Sequence, residues 1–237
     1  MAASKNSSEV RRIIEVYSTI YSPKPRDKSY IWHPCNPVSV YYRQVRERML
    51  VNIFCEHIHF PLSNMQVLDI GCGTGGFLRF LINMGIPPNH LYGLDLMFNR
   101  IKIATQRSSK HSSFCVGNGN ALPYPTSKFD LVSQFTVFSS ILDCRMRRHV
   151  AGEMVRVLKV GGYVLWYDMR RTRSAHTKGI EIEEIKSLFH NCALVLLRKI
   201  HPPRASSIAR RSLFLADTYD RIMPFGKTHY LALLRKR

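Results

Sequence analysis

The sequence predicts a doubly wound α/β fold, in which a mostly parallel sheet is covered on both faces by helices, and three observations carry that expectation. Short apolar runs alternate with helix-patterned stretches from residue 66 onward. The first run, Val67 to Ile70, enters a glycine-rich loop that opens a helix, and the second, Leu91 to Leu94, ends on an acid, Asp95. Strands buried on both faces read as continuous apolar runs, and strand-helix alternation supplies the crossovers that parallel pairing needs.

The elements follow in order. Val10 to Tyr21 and Val38 to His59 carry apolar residues at mixed three and four spacing among arginines, the pattern of two amphipathic helices. Between them Pro23, Pro25, Pro34 and Pro37 force a loop. Strands are expected at Val67 to Ile70, Leu91 to Leu94, Ser113 to Val116, Leu131 to Phe135 and Tyr163 to Tyr167, with a helix at Phe77 to Met84 after the glycine loop. A helix over Val150 to Leu158 is expected to end at Gly161-Gly162. Two further strands, Ala193 to Ile200 and His229 to Leu234, flank a helix at Ser207 to Arg221.

With 237 residues, 45% of them hydrophobic, the chain suffices for one substantial core and is short for two domains. Residues 1–60 read as an amino-terminal helical lid and 61–237 as the α/β domain, within one globular unit. No stretch approaches the roughly 20 apolar residues of a membrane span, and the amino terminus lacks a signal-type apolar core, so a soluble cytoplasmic protein is expected. The six cysteines form no CxxC pair and have no histidine at metal-ligand spacing, so reduced thiols and no metal site are expected. The 35 Lys and Arg against 16 Asp and Glu give a formal charge of +19. Nucleic acid, anionic lipid and acidic metabolites all suit that charge, as does a basic surface that serves only solubility.

The residues that carry chemistry begin with Val67-Leu68-Asp69-Ile70-Gly71-Cys72-Gly73-Thr74-Gly75-Gly76. Glycines let backbone approach a ligand closely, and the start of the following helix presents unpaired amides to it. Asp95, at the end of the second strand, stands where a carboxylate can hold both ribose hydroxyls of an adenosine. Asp69, just before the loop, would repel a dinucleotide pyrophosphate and attract a cationic amine.

From Val67 to Asp168 the sequence resembles the class I S-adenosylmethionine-dependent methyltransferases. The resemblance implies a Rossmann-like, seven-stranded, mostly parallel sheet with a reversed last strand, and S-adenosyl-L-methionine as cofactor. It implies that Asp69 and the Gly71, Gly73 and Gly75 loop, with Cys72 inside it, hold the methionine part. Asp95, with Leu96 beside it, is implied to bind the ribose. The segment Val116 to Tyr124 resembles the one in which an acid accepts from the adenine amino group. Asn118 stands in that place, with Gly119 after it, and an amide oxygen accepts without charge assistance. The run Phe129 to Phe135 and the following Thr136 to Ile141 resemble the fourth strand and the loop that reaches the methyl-transfer site. Gln134 is a candidate cofactor contact there and Thr136 a candidate substrate contact, against the alternative of ordinary strand-end polar residues.

For the acceptor, the carboxyl edge of a parallel sheet is where ligands bind. That rule selects Asp168 and Arg170 after the fifth strand and His201 to Arg204 after the sixth as the rim of the pocket. Tyr41, Tyr42 and Arg43 in the lid helix are candidates to close over the cofactor and meet the acceptor, against the alternative of one face of core packing. A hydroxyl acceptor is served by a base, for which His176, His201 and His229 are the candidates, although alignment alone supplies more rate than a base does. Trp166-Tyr167-Asp168, Lys178-Gly179, Pro202-Pro203 and Thr228 to Leu231 resemble methyltransferases of glycan and secondary-metabolite pathways. Ser133 to Phe138 lacks the prolines of amino-methylating nucleic-acid enzymes, and the Pro34-Cys35 pair precedes the glycine loop instead of following it. The basic segments are not interleaved with aromatics as a base-stacking platform requires. The expectation is therefore O-methylation of a small, possibly anionic molecule such as a glycan precursor or secondary metabolite. The alternatives are an RNA or protein methyltransferase and a non-catalytic cofactor-binding module.

Overall fold

The computed structural model describes residues 2–21, 33–58, 61–172, 174–202 and 204–237. Pro23 and Pro25 of the expected proline loop, His59 at the expected end of the second helix, Arg173 and Pro203 lie outside the described residues. The helices are α1 (Ala2–Ile20), α2 (Pro37–His57), α3 (Gly76–Asn83), α4 (Phe98–Arg107), α5 (Cys144–Val157), α6 (Ile182–Leu188), α7 (Ala205–Ala209) and α8 (Leu213–Ile222). The strands are β1 (Val67–Ile70), β2 (Leu91–Asp95), β3 (Ser113–Val116), β4 (Phe129–Phe135), β5 (Leu158–Met169), β6 (Cys192–Ile200) and β7 (His229–Lys236). They form one seven-stranded sheet in the order β3-β2-β1-β4-β5-β7-β6. Its pairs are parallel except that β7 runs antiparallel to both β5 and β6. The expected doubly wound sheet with a reversed last strand is therefore the observed fold.

Alternation along the central strands divides the core into two layers. Val164 and Trp166 of β5 and Ala232 and Leu234 of β7 face Met146, Val150 and Met154 of α5, together with Ile185 and Phe189. Leu165, Tyr167, Leu231 and Leu233 face Leu50, Ile53 and Phe54 of α2 and Leu78 and Leu81 of α3. The two amino-terminal helices thus differ in kind. α2 is a layer of the main core, started by Pro37 and by Asn36, whose side chain accepts from the Val38 N–H at 2.9 Å. α1 lies across the segment that links β4 to α5. Glu9 accepts from the Leu142 N–H at 2.6 Å, Arg12 donates to the Ser140 carbonyl at 2.6 Å, and the Tyr17 and Ser140 hydroxyls are hydrogen-bonded.

Two local expectations are corrected. Gly161-Gly162 do not end a helix: α5 stops at Val157, and the glycines lie inside β5, where the register with β4 shifts between Phe129 and Leu131. Gly161 takes φ +77, the left-handed value that such an irregularity favours in glycine. The helix expected over Ser207 to Arg221 is two helices. Ser212 is extended at φ −156 and its hydroxyl accepts from the Leu215 N–H at 3.3 Å, so it caps α8 instead of continuing α7.

Candidate active site

The glycine loop leaves β1 at the carboxyl edge of the sheet. Gly71 and Gly73 adopt φ +67 and +55, which only glycine takes without strain. A Cβ on Gly71 would strike the Val137 side chain, and one on Gly73 would strike Arg100. The Gly71 and Cys72 N–H groups both donate to the Leu94 carbonyl, at 2.7 and 3.1 Å, which ties the loop to β2.

Two buried carboxylates flank this loop. Asp95 accepts from the Gly73 N–H at 2.8 Å and the Met97 N–H at 2.9 Å, and the Arg100 guanidinium lies 3.9 Å away. Asp69 is 2% exposed and accepts from the Ser133 hydroxyl at 2.7 Å. Burial pushes its carboxyl up to about 7, while Ser133 and the Arg46 charge act in the opposite direction. Two acids and a glycine cradle on one edge match the needs of a cofactor with an ammonium at one end and a ribose at the other. Cys72 is buried within the loop and Leu96 is half-buried after Asp95. Asn118 is half-buried, its Oδ1 accepting from the Asn120 N–H at 3.2 Å, and Gly119 is buried against Ile70 at the end of β1 and Val150 of α5.

Arg100 was not legible as a site residue. Its guanidinium stacks 3.8 Å from the centre of the Tyr21 ring, so the end of α1 is fastened beside Asp95 and the glycine loop. Its only sequence signal is its position in the first turn of α4, five residues after Asp95.

Beyond β4 the site changes character. Tyr42 of α2, Phe135 at the end of β4, Tyr167 at the end of β5, His201 after β6 and His229 at the start of β7 form one aromatic cluster. Tyr42 meets the His201 ring edge-on at 4.5 Å, and Tyr167 stacks on His229 at 5.1 Å with 10° between planes. Arg46 lies over Phe135 at 5.3 Å and over Tyr167 at 5.5 Å. Among the described residues no carboxylate forms an ion pair with it. Sequence reading passed over Arg46 because one arginine among many in α2 carries no mark; four residues after Tyr42, it shares that residue's helix face.

The histidines separate cleanly. His176 is exposed in the turn after β5, whereas His201 and His229 lie 5.2 Å apart, ring to ring. His201 is wholly buried at φ +62, and neither ring nitrogen has a hydrogen-bond partner. Burial first, then the His229, Arg46 and Lys227 charges, hold it well below its ordinary pKa. Burial and Arg46 lower His229 to about 4. The Thr228 hydroxyl donates to the His201 carbonyl at 3.0 Å and lies 2.9 Å from His229 Nδ1. A hydroxyl has one proton, and with that proton on the His201 carbonyl Nδ1 is the donor to Thr228 and Nε2 the acceptor of the neutral ring.

Three expected contacts have other employment. Gln134 is wholly buried. Its Oε1 accepts from the Val137 N–H at 2.9 Å and its Nε2 donates to the Tyr167 carbonyl at 3.3 Å, so it shapes the loop from below instead of meeting a cofactor. Asp168 is likewise 0% exposed and accepts from the Phe138 and Ser139 N–H groups at 2.9 and 3.2 Å, anchoring the same loop instead of lining a rim. Burial pushes it up to about 6 against those hydrogen bonds. Tyr41 is 2% exposed and packs with Val45 against Ala205, Ala209 and Ala216. Its alternation with Tyr42 sends one ring to α7 and α8 and the other to the histidines. Thr136 is half-buried at φ +58, Arg43 is half-buried, Arg170 lies over Tyr230 at 5.7 Å, and Arg204 is exposed at the start of α7.

Strand order, left-handed glycine loop and paired acids define a class: open α/β domains that bind an adenosine-bearing cofactor at the carboxyl edge of the sheet. Residues 68–166 match the family profile described as "Methyltransferase domain". Phthiotriol/phenolphthiotriol dimycocerosates methyltransferase 1 of Mycobacterium ulcerans is 35% identical over 113 residues, 47% of this chain and 40% of the relative. Demethylmenaquinone methyltransferase of Lactococcus lactis is 32% identical over 108 residues, 44% of this chain and 42% of the relative. The chain thus spans about two fifths of the length of these curated relatives. The fold matches that of geranyl diphosphate C-methyltransferase from Streptomyces coelicolor, solved with S-adenosyl-L-homocysteine. The TM-score is 0.65 at 13% identity, covering 90% of this chain and 84% of that one. Residues 68–166 are thus a methyltransferase domain of the class I S-adenosylmethionine-dependent kind, whose cofactor is S-adenosyl-L-methionine.

Proposed function

We propose that this protein transfers a methyl group from S-adenosylmethionine to a hydroxyl oxygen of a small acidic or phosphorylated acceptor. When bound, the cofactor supplies an electrophilic methyl carried on a sulfonium. Asp69 and the glycine loop from Gly71 to Gly75 take the methionine end, Asp95 takes the ribose hydroxyls, and Asn118 takes the adenine amino group. The acceptor lies among Tyr42, Phe135, Tyr167 and His229. Arg46, without a carboxylate partner among the described residues, holds its anionic group. The aromatic faces around it stabilise positive charge and exclude water. Relatives named for a demethylmenaquinone and for a phthiotriol dimycocerosate substrate are in keeping with a small-molecule acceptor.

The observation that carries the oxygen assignment is the Thr228 hydroxyl 2.9 Å from His229 Nδ1: with its own proton on the His201 carbonyl it makes Nδ1 the donor and leaves Nε2 to take the acceptor's proton. The test is turnover of labelled methyl donor with a panel of phosphorylated and acidic hydroxyl compounds, for the wild type and for His229→Ala. The expected result is a kcat about 10²- to 10⁴-fold lower in the variant, with unchanged cofactor affinity. A kcat within about twofold of the wild type removes His229 as the base. A carbon acceptor is the second reading, favoured by the weak basicity of an imidazole held at about 4. Nuclear magnetic resonance of the product separates a methoxy from a carbon-bound methyl.

A further inference from the structure

Among the described residues, exposed apolar side chains are concentrated in the carboxy-terminal connection between β6 and β7. Phe214, Leu215 and Ile222 of α8 are 77%, 54% and 71% exposed, and Phe225 just beyond it is 77% exposed. At 100° per residue, positions 214, 215 and 222 fall within one quarter to one third of the helix circumference, so they form one outward apolar stripe. Exposed large apolar residues scattered singly need no explanation, but four on one ten-residue helix and its exit loop do.

The charges around this stripe identify what covers it. Arg204, Arg210 and Arg211 are exposed and take part in no ion pair among the described residues. The acids of the segment are engaged: Asp217 pairs with Arg48 and Arg221, and Asp220 pairs with Lys227. The free charge beside the apolar stripe is therefore positive, on a chain of formal charge +19. A second copy of this chain would bring the same uncompensated arginines against their own kind. Single-stranded nucleic acid is served by stacked aromatics, whereas Leu215 and Ile222 have no π-face to offer a base.

We propose that the α7–α8 face is a membrane-docking surface that seats on an anionic bilayer leaflet. Phe214, Leu215, Ile222 and Phe225 enter the boundary between headgroups and acyl chains, and Arg204, Arg210 and Arg211 lie against lipid phosphates. A short helix lying in the interface, with apolar residues below and cations at headgroup level, is the arrangement such binding uses. The face is continuous with the aromatic cluster. An open cleft of about 200 Å³ between α2 and α8 is lined by Tyr41, Val45, Leu213 and Phe214. The Tyr41 ring meets those of Tyr42 at 5.5 Å and His201 at 5.8 Å. An amphiphilic acceptor drawn from the bilayer would thus have a short route to the proposed acceptor site.

The docking itself does not depend on methyl transfer, so its test is binding of the full chain to vesicles. Co-sedimentation is measured with phosphatidylcholine alone and with phosphatidylcholine containing about a third phosphatidylglycerol. The wild type is expected to partition at least tenfold more strongly onto the anionic vesicles. Phe214→Ser combined with Ile222→Ser is expected to weaken that partition about 100-fold, roughly tenfold for each buried side chain removed. Arg210→Ser with Arg211→Ser is expected to narrow the preference for anionic lipid without abolishing insertion. The replaced side chains are exposed, so thermal unfolding should be unchanged and confirms that each variant is folded. Failure of the wild type to bind anionic vesicles overturns the proposal. So does serine-variant binding equal to the wild type, which would mean adsorption by charge alone. A wild-type dimer dissolved by Phe214→Ser assigns the stripe to self-association and also overturns it.

Discussion

The two halves of the sheet's carboxyl edge are built on opposite principles. From β3 to β4 the edge is made of backbone and carboxylates: left-handed glycines, Asp69 and Asp95, each with its hydrogen bonds satisfied. From β5 to β6 it is made of rings: Tyr167, His201 and His229, with Tyr42 and Arg46 laid over them from α2. The first half fits a constant polar ligand, for which fixed donors and acceptors suffice. The second is a packed aromatic surface whose polar atoms are few and, at His201, unpaired. Groups buried without partners cost stability and persist where function or packing compensates for them, so the instability of this molecule should be concentrated in that half.

The sharpest way to break the comparison is acid. A histidine lowered by burial is neutral in the folded state, while the unfolded chain takes up a proton at the ordinary pKa of about 6.5. Stability from this source is complete above that pH and is lost as the pH falls toward 4, the value to which His229 is lowered. The loss attains at most about 3 kcal/mol from His229 alone, and His201 adds to it. Asp69 and Asp168, raised to about 7 and about 6, act in the opposite direction in both proteins, so the readout is the difference: between pH 7 and 4.5 the denaturant midpoint of the wild type should lose more than that of His229→Gln. Parallel profiles would place the acid sensitivity elsewhere.

Asp95→Ala probes the other half. It removes the proposed ribose acceptor and leaves the Gly73 and Met97 N–H groups unpaired, and it is expected to weaken S-adenosylmethionine by about 1 to 3 kcal/mol, roughly 5- to 150-fold in Kd. Calorimetric titration measures this, and the KM of the acceptor should stay within about twofold. A change confined to the acceptor would reverse the assignment of the two halves.

A third effect is smaller and depends on pH within the cofactor half. Burial raises Asp69 to about 7, so below that pH the folded protein holds a proton there, and binding a cationic methionine end must expel it. Cofactor affinity should therefore rise with pH up to about 7, by at most about tenfold per pH unit, and then level off. In Asp69→Asn the same titration should be flat. An affinity independent of pH in the wild type would dissociate Asp69 from the ammonium.

The smallest effect concerns α1. Glu9→Gln keeps the size of the side chain but weakens its bonds to the Leu142 N–H and Arg12, and should cost about 1 to 2 kcal/mol, or about 2 to 8 °C in Tm. If α1 closes the cofactor half, bound S-adenosylmethionine should recover part of the loss. No recovery would make α1 a structural brace only.

Legibility in the sequence followed the same division. Val67 to Gly76 and the Asp95 strand end could be read because they combine a strand period, obligatory glycines and charge in adjacent positions, and the fold and the family followed from them. The acceptor half is assembled from residues far apart in the chain, and their polar atoms are sorted by burial. Among three candidate histidines, only packing separates the exposed His176 from the pair His201 and His229. Gln134 and Asp168 looked like strand-end ligand contacts, yet the backbone of residues 137–139 lies above them and takes their oxygens. Arg46 and Arg100 gave no local sign, since an arginine on an amphipathic helix is ordinarily solvated.

Hydrophobic period, glycine placement and the two acids are local properties, and by themselves they pointed to a doubly wound α/β sheet and carried the methyltransferase resemblance that implied its reversed last strand. Which tautomer His229 holds, which arginine faces the aromatic cluster, and which apolar residues of α8 remain uncovered were decided only when β7 reversed and brought residues 201, 228 and 229 against α2. Those outcomes depend on long-range burial and on the sharing of single protons, and neither is encoded within a local stretch of chain.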